Sequence, residues 1–157
     1  MKKIIVFLFL ISSIFANSQK LTFDELLSLR NKPVPEISDY LISKGWSFND
    51  TKTYEDNTKS VFWSFQGSDH NSAQHWLTLY LTIDDKEDGI KYQTTNAVTF
   101  NAIKSRMKLL NYKLVESKTE EKAIVSIYES NSNKVTLKTM SREIDSSNAF
   151  VITIYRK

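Results

Sequence analysis

ISDYLISKGWSFNDTKT, residues 37–53, returns in paler form as IKSRMKLLNYKLVESKT, residues 103–119. With Trp46 set over Tyr112, Gly45 falls on Asn111, Phe48 on Leu114, Asp50 on Glu116, Lys52 on Lys118 and Thr53 on Thr119. Each stretch begins with apolar residues at helical spacing. It then reaches a Gly or Asn able to take the left-handed backbone that closes a helix, and goes on in the two-residue alternation of a strand. The change of period, made twice, predicts one unit used twice.

Upstream of the first copy, Thr22 reads as an N-cap for FDELLSLR, with Asp24 and Glu25 in the first turn and Arg30 near the last. Pro33 and Pro35 end that helix, and Pro35 opens a second one that closes at Gly45. Downstream, residues 60–65, 75–83 and 90–94 read as strands. The second copy opens at Asn96, with Phe100, Ile103, Met107 and Leu110 on one helical side, and strands follow over 112–117, 123–128, 135–140 and 149–155. VTLK from Val135 echoes LTLY from Leu77. The expected fold is α+β: two tandem helix-plus-four-strand antiparallel units, with helices packed on one face of the sheet or sheets. The expected divisions are a signal peptide at 1–18, a first unit of helix-loop-helix and four strands at 19–95, and a second unit at 96–157.

The leader reading rests on Lys2 and Lys3, an apolar run over 4–14, and small residues Ala16 and Ser18 ahead of Gln19. That run is short against the ~20 residues a membrane-spanning helix needs. A periplasmic or secreted bacterial protein is expected, with no membrane span after cleavage. The leader would remove two of the 21 basic residues and none of the 18 acidic ones, so the net charge of +3 falls to about +1. Nucleic-acid binding loses its electrostatic support. Acids outnumber bases up to Thr95 and the reverse holds beyond it. The chain contains no cysteine, which excludes disulfides, a thiol nucleophile and thiolate metal ligands.

Parity along the strands singles out one surface. Leu77, Leu79, Leu81 and Ile83 point one way, as do Phe150, Ile152 and Ile154, and helices should cover them. The other face would carry Phe62, Trp76, Thr78, Tyr80 and Tyr155, interleaved with Thr82 and Thr153. Amphipathic aromatics on a wet sheet suit recognition, because they offer contact area at small entropic cost. They also have high strand propensity and pair across strands wherever they point.

Catalytic signals are thin. Asp69, His70 and His75 form the one cluster resembling a site, without standard metal-ligand spacing, and no metal or other cofactor is expected. Asp84, Asp85, Glu87 and Asp88 sit in a charged turn, where a general acid would lack a desolvated pocket. No nucleophile elbow, zinc-protease or phosphate-loop motif occurs. At the level of architecture alone, the plan resembles that of the secreted β-lactamase inhibitory proteins. The resemblance implies a sheet face presented to an enzyme, though those proteins carry disulfides that this chain cannot form.

The expected function is a non-enzymatic binding or inhibitory, immunity-type module that meets a protein in the cell envelope or outside the cell, with a glycan as another ligand for exposed Trp and Tyr. The alternatives are a small secreted hydrolase using scattered acids with His70 or His75, and an envelope component that self-associates through its oppositely charged halves.

Overall fold

The computed structural model describes residues 20–69, 71–84, 86–142 and 147–157. The expected leader lies outside the described residues. Helix α1, Phe23–Leu29, opens on a reciprocal cap: the Glu25 N–H donates to Thr22 Oγ1 at 3.2 Å and the Thr22 N–H to Glu25 Oε2 at 2.7 Å. Helix α2, Val34–Ser43, begins after Pro33 and holds Pro35 in its first turn, where a missing N–H costs no helical bond.

At its end the Gly45 N–H bonds Ile42 O at 2.9 Å and the Trp46 N–H bonds Leu41 O at 3.0 Å, with Gly45 at φ 81°. These are the two bonds of a Schellman close. Helix α3, Ala97–Leu109, is capped by Asn96 and ends identically: Asn111 N–H to Lys108 O at 3.0 Å, Tyr112 N–H to Met107 O at 3.1 Å, Asn111 at φ 59°. In both passages the next residue is a large aromatic, Trp46 or Tyr112, driven into the core.

The strands are β1 Ser47–Thr53, β2 Lys59–Phe65, β3 His75–Leu81, β4 Glu87–Thr94, β5 Lys113–Glu120, β6 Ala123–Glu129, β7 Asn133–Ser141 and β8 Asn148–Arg156. They form one antiparallel sheet in the order β1-β2-β3-β4-β8-β7-β6-β5. Two edge pairings carry a bulge, between Phe48 and Asp50 and between Leu114 and Glu116. These are the positions that the two sequence stretches superpose. A bulge bends and twists an edge strand, which discourages pairing with another chain.

The expectation of two tandem helix-plus-four-strand units is overturned. Pairing of β4 with β8, Ile90 opposite Ile154 and Tyr92 opposite Ile152, makes the eight strands continuous. The helices are pooled rather than divided. α3 packs against α1 and β4, its Arg106 Nε donating to Asp24 at 2.8 Å, while Phe23 meets Tyr112 edge-on at 5.3 Å between centroids. The physical reason is area. Among the described residues the second half brings a single helix, whose buried stripe of Phe100, Ile103 and Met107 is too narrow to cover four strands alone. It therefore joins the stripes of α1 and α2 in one core, and β5 is left exposed along its whole length. Ile83, expected in the inward stripe, lies beyond the end of β3 and is 65% exposed.

All three helices of the described residues lie on one side. Every strand residue of the core cluster, from Val61, Trp63, Leu77 and Leu79 through Ile90 and Tyr92 to Ile152 and Leu137, has the same parity through the cross-strand pairs.

Candidate functional site

The face away from the helices is built by three cross-strand rows. One runs Ser60, Tyr80, Gly89, Tyr155, Lys134; the next Phe62, Thr78, Lys91, Thr153, Thr136; the third Ser64, Trp76, Gln93, Val151, Lys138. Antiparallel register requires paired residues to share a face, so Phe62, Trp76, Thr78, Tyr80 and Tyr155 stand together on it.

The aromatics form two groups. Phe62 and Trp76 lie 5.8 Å apart between centroids, and Tyr80 and Tyr155 stack at 6.5 Å with 18° between planes. Gly89 sits between the two tyrosines across the strands, and a Cβ there would come within 2.7 Å of the Tyr155 ring. Only glycine admits that ring over the backbone. Burial, with Tyr80 and Asp88 nearby, pushes the Tyr155 phenol up. Phe62, Trp76, Tyr80 and Tyr155 are half-buried, which leaves part of each ring open to contact. Thr78 is different: it is 1% exposed, and its Oγ1 has no hydrogen-bond partner among the described residues. It forms the floor between the rings rather than a point of contact.

Two cavities end the face. One, of about 520 Å³, is lined by Tyr54, Ser60, Tyr80, Asp84, Asp88 and Tyr155 among others; the second, of about 650 Å³, includes Gln93, Glu120, Lys138, Met140 and Arg142. Both open on the aromatic and lysine rows and give the face relief.

Comparison of the chain with family models, curated proteins and solved structures finds no match. The site therefore rests on its own geometry.

Among the described residues, those considered for chemistry do not converge. His75 is 1% exposed on the helix side of β3, its Nδ1 2.8 Å from the Tyr92 hydroxyl and its ring stacked on Tyr92 at 5.7 Å. Burial, with the Lys20 charge nearby, pushes its imidazole down to about 4, so it is neutral near pH 7. Asp69 accepts from the N–H groups of Asn71 and Ser72 at 2.8 and 3.0 Å, the geometry of a turn. No group of metal-ligating side chains occurs among the described residues. His70, Asp85 and the Glu87 side chain lie outside them. Asp84 is exposed and 3.8 Å from Lys86.

Sequence parity missed Lys91. Ile90 and Tyr92 point inward, so Lys91 must point out, at the middle of the face beside Tyr80, whose ring centroid is 5.7 Å from Nζ. The same rule could have found His75, which shares the parity of Leu77 and Leu79.

Proposed function

We propose that this protein is an exported, non-enzymatic binding module of inhibitory or immunity type that holds a protein partner, in the cell envelope or outside the cell, on the open face of its sheet. The observation that carries the proposal is the face away from the described helices, with the half-buried Phe62–Trp76 and Tyr80–Tyr155 groups side by side on it. Aromatic side chains concentrate binding energy, and a rigid sheet holds them without the ordering cost that a loop would add. The charged leader supports export. His75, one of the two histidines open to the hydrolase alternative, is spent on the core, and His70 lies outside the described residues.

The test compares the protein with W76A/Y80A and with a helix-side control, I42A, each checked for folding by circular dichroism, in capture from envelope and culture-medium fractions. A partner held by the parent protein and by I42A but released by W76A/Y80A supports the proposal. An unchanged set of captured proteins across all three sinks it.

A further inference from the structure

We infer that the partner presents an acidic protein segment to this face and seats a carboxylate at Lys91; the inference rests on the open face being the recognition surface. On the three rows through Gly89, Lys91 and Gln93, the charged side chains contributed by β3, β4, β8 and β7 are Lys91, Lys134 and Lys138, all cationic. The acids of this face lie on the strands outside these four or at the β3–β4 turn: Asp50 of β1 opposite Phe62, Glu129 of β6 opposite Lys134 and paired with Lys157, Glu120 of β5 3.9 Å from Lys138, and Asp84 and Asp88 around the cavity at the turn.

Lys91 occupies the centre. Thr78 and Thr153 stand directly opposite it on the flanking strands, and the Tyr80 ring lies beside its ammonium. A carboxylate arriving there meets a charge already held in place by the sheet and walled by Trp76, Tyr80 and Tyr155, whose rings displace water and so strengthen the pair. Electrostatic complementarity of this kind steers association and rejects basic partners. A protein carboxylate fits better than a nucleic acid, since three lysines on two strands, one in each of three rows, do not track a phosphate backbone and the aromatics are grouped rather than strung along a groove.

The experiment titrates isotope-labelled protein with three blocked hexapeptides, alternating Glu-Tyr, Lys-Tyr and Ser-Tyr, following backbone amide resonances. The Glu-Tyr peptide should shift the amides of Trp76, Thr78, Lys91 and Thr153 and bind most tightly. Its affinity should fall about tenfold or more at ~0.5 M salt and in K91E, and by less in K91Q, which removes the charge but keeps a polar side chain. K104E, a charge reversal on α3, should bind like the parent. If the Ser-Tyr or Lys-Tyr peptide binds the same residues as tightly, the acidic-partner inference fails and the aromatic recognition face survives. If every peptide maps to the helix side, or none binds, both fail. A thymidine oligonucleotide that displaces the Glu-Tyr peptide from Lys91 would overturn the assignment to protein. Sedimentation as a dimer that K91E dissociates would overturn it in favour of a second copy.

Discussion

His75 shows how one side chain can be placed by the strand it sits on rather than by its chemistry. Its neighbours in parity are Leu77 and Leu79, so it goes inward with them, and the Tyr92 hydroxyl satisfies a ring that Trp46 and Phe65 enclose. The cost of burial falls on the charged form. A depressed folded pKa means that the unfolded chain takes up a proton first. His75 therefore contributes stability that is complete above about pH 6.5 and is lost as pH falls through about 4. Glu25 adds a second, lower window. Partial burial opposes its charge, but Lys44, Tyr40 and Thr22 override this and hold the carboxyl down to about 2, so its contribution is lost between about 4.5 and 2. Urea unfolding at a series of pH values should show stability declining from pH 6.5 to 4.5, before Glu25 titrates. In H75F, which removes the titrating ring, that decline should shrink, although the variant is less stable at pH 7 because the Tyr92 hydroxyl loses one of its partners and keeps Leu21 and Thr94, at about 0.5 to 1.5 kcal/mol.

The helix-to-strand passages at Gly45 and Asn111 were the most legible elements in the sequence. Local chemistry decides them: a residue tolerant of positive φ, an aromatic after it, and alternation beyond. A Cβ at Gly45 would meet only the Phe65 ring, at 3.8 Å, so the cost of Gly45→Ala is conformational rather than steric, about 1 to 2 kcal/mol. Asn111 already tolerates the left-handed region. Asn111→Gly should be neutral or stabilising by several tenths of a kcal/mol, and Asn111→Ala should cost about 0.5 to 1. Thermal and urea denaturation of the three variants check the ordering, and a Gly45→Ala less costly than Asn111→Ala would contradict it. The side-chain parity of β2, β3 and β8 was legible for the same local reason, and with it the company of Phe62, Trp76, Tyr80 and Tyr155. The β4–β8 pairing was not. Nothing in EDGIKYQT names a partner more than fifty residues away, and the choice between two sheets and one is made by how much apolar stripe the helices together supply. The same non-local decision sends α3 to α1 and leaves β5 bare.

At the scale of the molecule, the three helices of the described residues, on one side of an eight-stranded sheet, dictate what the other side can do. The core side spends its aromatics on packing, with Trp46 3% and Trp63 0% exposed, while the third tryptophan stands on the open face. The uneven charge along the chain takes on meaning only in this frame: on β3, β4, β8 and β7 the three rows of that face carry lysines as their charged side chains, and its acids stand on the strands outside them, Asp50 of β1, Glu129 of β6 and Glu120 of β5. Sequence alone gave the unevenness without the geometry, because the rows that gather Lys91, Lys134 and Lys138 join strands distant in the chain. The claim beneath both the function and the anionic partner is that Trp76 looks out where Trp46 and Trp63 look in. The direct measurement is acrylamide quenching of tryptophan fluorescence in three folded variants, each retaining one tryptophan and carrying Phe at the other two positions. The Trp76-only protein should be quenched several-fold more strongly than the Trp46-only and Trp63-only proteins. Equal shielding of all three would mean that the face is covered, and the account would fail.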